Sequence, residues 1–203
     1  METKPWIPST VTLLLIVASL GWLWKARDRA RDSLAAEAWA KGQLATIARL
    51  EREHLESGRS PMRPLFINEL VDSGALETTV PGHGRGKVED GILLLNGYCF
   101  RVSLADSLGE PHAEAPVKDV TLNPRFWIAY AWPEEWGDPG RRLFVADSFG
   151  FLRSWEHAIP LFVGVTHPPD PWLAKPPNER SYPFARKTRG WQKHLRWRNE
   201  SIP

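Results

Sequence analysis

The sequence has little cysteine and little charge of one sign. Cys99 is the only cysteine among 203 residues, which excludes an intrachain disulfide. Lys and Arg number 26 against 24 Asp and Glu, a formal net charge of +2. This near balance excludes a chain that binds polyanions over its whole surface. A hydrophobic fraction of 42% with eleven Trp is ample for one packed core.

A catalytic or metal-binding constellation is also missing from the sequence. Residues 82–86 read GHGRG but lack the Lys-Ser/Thr pair that completes a phosphate-binding loop. Residues 105–123 hold His112 and several acidic residues at spacings that match no metal-ligand pattern. Cys99 lies in an alternating strand pattern, where a lone thiol is most often a packing residue. We therefore predict no enzyme, no cofactor and no metal site.

Long hydrophobic runs are scarce, and the longest uncharged run lies near the start of the sequence. Residues 11–24 read VTLLLIVASLGWLW, and the uncharged stretch extends back to Pro5. About twenty helical residues cover ~30 Å, the thickness of a hydrocarbon core. A cleaved signal peptide and a buried core helix are the alternatives. No small-residue cleavage site follows the run, so we expect an uncleaved transmembrane anchor over residues 1–25.

Proline is absent from residues 25–57, which are rich in Ala, Leu, Arg and Glu. These residue types favour helix, and apolar residues recur at steps of three or four, which makes one apolar stripe. Ser57-Gly58 is a helix-ending pair, and Pro61 follows. We predict a long stalk helix over residues 26–60 whose stripe packs on the following domain.

Residues 61–165 read as a β-rich head. Asn96-Gly97 separates two strand-like runs and predicts a hairpin, in which Cys99 faces away from Tyr98 and Phe100. Residues 125–133 form a near-continuous apolar run that predicts a central strand. Residues 142–155 predict two strands around a tight turn at 147–150, and residues 159–165 could add another. The expected fold class is α+β, with an N-terminal transmembrane helix continuing into a long helix packed on a small antiparallel sheet.

The tail, residues 166–203, is Pro-rich and then basic. From residue 171 onward it carries a net charge of +6, which leaves −4 for the rest of the chain. Its last part interleaves cations with Trp, a composition suited to an anionic membrane surface or, less so, to nucleic acid. A solvated tail whose Trp side chains pack on the head is the interpretation that we place before both of these. The candidate anion-binding residues are Arg186, Lys187, Arg189, Trp191, Lys193, Arg196, Trp197 and Arg198.

Taken in order, these segments resemble the type IV pilins and type II secretion pseudopilins. The resemblance is carried by the membrane-to-stalk helix, by GYCFRV at 97–102, by FWIAYAWP at 126–133 and by GRRLFVADSFG at 140–150. It covers roughly residues 10–155. The sequence departs from the family at its start, where the Gly-Phe leader junction and the glutamate that follows it are absent. That departure places polymerisation in doubt.

The resemblance implies a single-pass envelope protein of the inner membrane with a structural or assembly role and a periplasmic head. Its partners would be the membrane, other pilin-like subunits or a secretion apparatus, with nucleic acid unlikely. Lys25, Arg27, Arg29 and Arg31 directly follow the apolar run, and by the positive-inside rule they would place the head in the cytoplasm instead. The alternative function is a membrane-anchored binding module that uses the basic Trp-rich tail for an anionic ligand.

Overall fold

A computed structural model describes residues 10–59, 61, 63–81, 84–106, 111–113, 122–135, 140, 142–156, 161–170 and 198–199. The longest element is α1 (Thr10–Ser57), a helix of 48 residues. Gly58 follows with a φ of 63°, a left-handed conformation that ends the helix at little steric cost because glycine has no Cβ. A straight helix of this length is about 70 Å long, longer than a small domain is wide.

A short connection turns the chain from α1 into the second helix, α2 (Ile67–Asp72). Leu65, Phe66, Ile67 and Leu70 are all buried. The Glu69 carboxylate accepts a hydrogen bond from the Phe66 backbone N–H at 2.8 Å, which satisfies one of the free donors at the start of α2.

The dominant element is an antiparallel sheet of eight strands. A separate two-stranded ribbon joins β1 (Thr79–Val80) and β2 (Gly84–Arg85). The strands of the large sheet are β3 (Lys87–Glu89), β4 (Ile92–Leu95), β5 (Tyr98–Asp106), β6 (Pro111–His112), β7 (Leu122–Pro133), β8 (Arg142–Asp147), β9 (Leu152–Glu156) and β10 (Arg198–Asn199). Their hydrogen-bonded order is β10-β9-β8-β7-β5-β4-β3, and β6 pairs with β5 outside this path.

Both faces of the sheet are buried, and alternation along β5 separates them. Tyr98, Phe100, Val102 and Leu104 share one apolar cluster with the second half of α1 and with α2. Cys99 lies in the other cluster, on the opposite face, together with residues of β7 and β8. The helices therefore form one layer and the sheet a second.

Residues 161–170 cover part of the opposite face. Phe162 is buried there and packs edge-on against Trp155, with ring centroids 6.0 Å apart. The Trp132 indole N–H donates to the Gly164 carbonyl at 2.8 Å. The Arg101 guanidinium donates to the Pro169 carbonyl. These bonds fix a non-helical segment to the sheet.

The predicted hairpins and central strand are confirmed. Leu95 pairs with Tyr98 across the Asn96-Gly97 turn, and both turn residues have positive φ, as such a tight turn requires. β7 lies between β5 and β8, and β8 pairs with β9 across the 147–150 turn. The prediction of a strand at 159–165 is wrong for the described residues of this range, because Val163 makes only an isolated bridge with His167.

The predicted fold class is wrong on two counts. The sheet is large rather than small, because two- and three-residue strands extend it on both sides of the predicted hairpins. In addition, no helix among the described residues is both long and apolar enough to cross a membrane. The uncharged run at 11–24 is short for a ~30 Å hydrocarbon core, and Lys25 and Arg27 follow it directly. The predicted transmembrane anchor and single-pass inner-membrane localisation are therefore not supported.

Candidate interaction site

The first feature that stands out is an exposed stretch of α1, residues 19–35, which we call the exposed segment. Every side chain described in it is exposed except Ser33, which is half-buried. Burial begins at Ala36 and Glu37, where α1 reaches the sheet. Among the side chains of α1 that the structure describes, those that pack on the head therefore begin at Ala36.

Large apolar side chains lie in the exposed segment. Trp22 is 72% exposed, Trp24 71% and Leu34 63%. Consecutive helical residues are rotated by 100°, so the two indoles lie about 200° apart, on nearly opposite sides of α1. A helix that is apolar on opposite sides is normally surrounded rather than covered on one face. The exposed segment thus carries two large apolar side chains on opposite sides, both left largely exposed in a single copy of the chain.

The second feature is a groove of about 790 Å³ where the end of α1 meets α2. We call it the α1–α2 groove. Its apolar lining comes from Leu50, Leu65 and Leu70 with Pro61 and Ala75. Its polar lining residues are Glu53, His54, Ser57, Arg59, Glu69, Asp72 and Ser73.

Two side chains one turn apart on α1 hold one wall of this groove, which residues 61 and 63–66 form. His54 Nε2 lies 2.8 Å from the Pro61 carbonyl oxygen. Because a carbonyl only accepts, the imidazole donates from Nε2. The Glu51 Oε2 atom accepts from the Leu65 backbone N–H at 2.9 Å. The wall is therefore attached to α1 at both of its ends.

The wall is also held from α2, through a bidentate ion pair. Arg63 donates to both carboxylate oxygens of Glu69, at 2.7 and 2.9 Å, and its guanidinium lies 5.1 Å from the centre of the Phe66 ring. Burial alone would raise the pKa of Glu69, but the bonds from Arg63 and Phe66 outweigh it and lower that pKa. Glu69 is therefore ionised at neutral pH.

The pKa of Glu51 is shifted in the opposite direction to that of Glu69. Its side chain is fully buried, and its Oε1 atom has no hydrogen-bond partner within the described part of the chain. Burial raises the pKa of Glu51 to about 8, and the nearby Glu69 charge adds to the effect, while the Leu65 N–H and Arg63 oppose it. At neutral pH this carboxyl is mostly protonated.

Two described side chains of nucleophilic type, Ser57 and Cys99, are not activated as nucleophiles. The Ser57 hydroxyl donates to the His54 carbonyl oxygen at 2.7 Å, so Ser57 is not paired with the imidazole as a nucleophile would be. Cys99 lies on the buried far face of the sheet, where desolvation, with Glu134 nearby, raises the pKa of its thiol to about 12. A thiol with that pKa is not a nucleophile at neutral pH.

Of the basic tail residues predicted as a site, the structure describes only Arg198. It lies in β10 at the edge of the sheet, opposite Ser154 of β9, and is exposed. The other seven, Arg186, Lys187, Arg189, Trp191, Lys193, Arg196 and Trp197, lie outside the described residues. No group of three or more His, Cys, Asp or Glu side chains suited to a metal ion occurs in the part of the chain that the structure describes.

Sequence reasoning missed the α1–α2 groove. Its lining comes from the end of α1 and from residues 57–75, which read separately as a helix end, a loop and a short helix. A signal was available in Glu51 and His54, two titratable residues one turn apart beside an apolar stripe. Nothing in the sequence alone says which residues they meet.

Comparisons with known proteins give no relative: no family model, no curated protein and no solved structure matches this chain. The resemblance to pilins and pseudopilins stays a prediction on sequence motifs. The prediction of a pilin-like or type II secretion protein with a membrane signal anchor is not supported. No family model matches the chain, and no described helix is long and apolar enough to span a membrane.

Proposed function

We propose that this chain is a non-catalytic assembly protein that associates with further copies of itself through the first part of α1. The observation that carries the proposal is the exposure of Trp22 and Trp24 on opposite sides of one continuous helix. A single docking surface would cover only one of the two indoles. Contact with more than one neighbouring helix buries both.

The energetics favour association. Each Trp side chain has 150–250 Å² to bury, and both are more than two-thirds exposed. At ~25 cal/mol per Å², burying the exposed part is worth roughly 3 kcal/mol for each indole. Most of that gain is available to a helix partner of matching apolar character, and the uncharged run at 11–24 in another copy has this character.

The charged residues that follow are compatible with self-association. Residues 25–32 carry four cations and two anions, Asp28 and Asp32. Mixed signs allow a cation of one copy to pair with an anion of another, whereas a run of one sign would repel. The head then lies outside the helical contact and is presented by the assembly.

Sedimentation equilibrium of the full chain over a range of concentrations tests this function. We expect a concentration-dependent mass above that of the 23.1 kDa monomer. The double variant Trp22→Gln/Trp24→Gln weakens association by more than about a hundredfold, since every 1.4 kcal/mol is tenfold in affinity. Phe149→Gln, which replaces a 48% exposed aromatic on the head, is the control and leaves association unchanged. A wild type that stays monomeric throughout contradicts the proposal.

A further inference from the structure

We propose that Glu51 is a proton-operated latch: its protonated carboxyl holds the wall of the α1–α2 groove against α1, and loss of the proton opens the groove. The geometry is the basis of this inference. One fully buried carboxyl supplies an acceptor to the Leu65 N–H, and its second oxygen has no partner among the described residues. A neutral carboxyl tolerates that position far better than an anion does.

The chemistry of the step is a simple ionisation. The carboxyl releases its proton to solvent and becomes a buried anion with one backbone donor. Such an anion is stabilised by water, and water reaches it if the wall moves away from α1. The wall is a short non-helical segment held to α1 and α2 by side-chain bonds, whereas α1 is a continuous helix packed on the sheet.

The charged groups around Glu51 support this assignment. Arg63 faces it from the wall and favours the anion, while Glu69 faces it from α2 and disfavours the anion. Arg63 is already engaged by both oxygens of Glu69. On α1 itself His54 follows one turn further on, and its ring is bonded to Pro61. The one cation among these groups that acts on Glu51 is therefore already engaged by another carboxylate.

The sign of the effect follows from linkage. The closed form has a carboxyl pKa of about 8, against the ordinary 4.5 when the wall is open and the carboxyl is hydrated. Opening therefore becomes easier as pH rises from about 4.5 to about 8 and levels off above that. Over this range the opening equilibrium increases by up to about a thousandfold. Glu69 is ionised across most of the range and adds little to it.

Amide hydrogen exchange of Leu65, followed by NMR from pH 5 to 9 and corrected for intrinsic rates, tests the latch. We expect Leu65 protection to fall at least tenfold with rising pH and to stay below that of Tyr130 in the central strand β7. In Glu51→Gln, whose amide is neutral at every pH, Leu65 protection is independent of pH. Glu56→Gln, which changes an exposed carboxylate of α1 outside the groove lining, keeps the wild-type dependence.

The NMR chemical shift of the Glu51 carboxyl carbon, followed against pH in the wild type, provides a second test that does not depend on a variant. A titration midpoint well above 4.5 supports the latch. A midpoint near 4.5, a Leu65 protection that does not change with pH, or equal protection of Leu65 and Tyr130 overturns it. Equal protection would mean that the wall opens only when the whole domain unfolds.

Discussion

Asp147 and Arg153 form a buried ion pair, 2.7 Å between Oδ2 and the guanidinium, at the base of the hairpin that joins β8 to β9. The other carboxylate oxygen, Oδ1, accepts from the backbone N–H groups of Phe149 and Phe151 at 3.0 and 3.2 Å. One carboxylate thus organises the turn and neutralises a buried cation. Burial raises the pKa of Asp147, although Arg153 and the two N–H groups offset part of that rise.

Arg153→Met should therefore destabilise the head strongly. The variant keeps the apolar stem but leaves the Asp147 carboxylate buried without its cation, which typically costs 3–5 kcal/mol. Urea unfolding at neutral pH measures the loss. Arg49→Met is the control, since its partner Glu53 is exposed and such surface pairs are worth less than about 1 kcal/mol. Equal, small losses in both variants would show that the hairpin does not depend on the pair.

Tyr98→Phe should stabilise the protein by about 1 kcal/mol. The Tyr98 side chain is fully buried, and its hydroxyl has no hydrogen-bond partner among the residues described. Burial raises the pKa of that hydroxyl, so it stays neutral, and removing it removes a desolvated, unsatisfied group. Thermal unfolding measures the change. A loss above about 1 kcal/mol would mean that the hydroxyl has a partner.

Gly140→Ala should be destabilising because of the same hydroxyl. A Cβ at Gly140 would collide with the Tyr98 oxygen and lie 3.0 Å from Glu37 Cγ. We expect a loss of about 1–3 kcal/mol, typical of overpacking in a core. The double variant Gly140→Ala/Tyr98→Phe should recover part of it, which a double-mutant cycle of unfolding free energies measures. If the two single-variant changes in unfolding free energy are additive, the added methyl group does not collide with the Tyr98 hydroxyl.

The Arg63–Glu69 pair should contribute stability that disappears in acid. The pKa of Glu69 is lowered in the folded protein. The stability that the pair contributes is therefore present above the ordinary carboxyl pKa and is lost as the pH falls through the folded-state pKa. Glu69→Gln should lose roughly 1 kcal/mol at pH 6 and much less at pH 3. Urea unfolding at both pH values measures it. If the loss of unfolding free energy is the same at both pH values, the effect comes from packing and not from the ion pair.

The parts of the fold that were predictable are those set by local chemistry. Asn96-Gly97 specifies a tight hairpin whatever surrounds it, and the alternation at Tyr98, Cys99 and Phe100 gives the two faces of β5. The short strands β3, β6 and β10 have two or three residues each, too few for a periodic pattern. They form because a neighbouring strand has free backbone hydrogen-bonding groups at its edge. A short stretch of sequence does not show which strand will lie beside it.

The site could be predicted only in part. Trp22 and Trp24 were visible in the sequence, but their apolar surroundings suggested a lipid environment, and hydropathy alone does not distinguish a lipid partner from a protein one. The α1–α2 groove depends on Leu65 returning to within 2.9 Å of Glu51, a contact between residues 14 positions apart. The strong shift in the Glu51 pKa follows from burial, and the sequence does not show burial of a residue on an otherwise charged stretch of helix.

Disulfide cross-linking at Ser19 tests self-association through α1 most directly. Ser19 is exposed within the exposed segment, and Ser19→Cys is nearly isosteric. The native Cys99 can remain, since it is buried and its thiol pKa is raised to about 12. Mild oxidation of Ser19→Cys should give dimers that reducing agent reverses, while Ala75→Cys, an exposed position on the head, stays monomeric. No cross-linking at Ser19, or equal cross-linking at both positions, would contradict association through this helix.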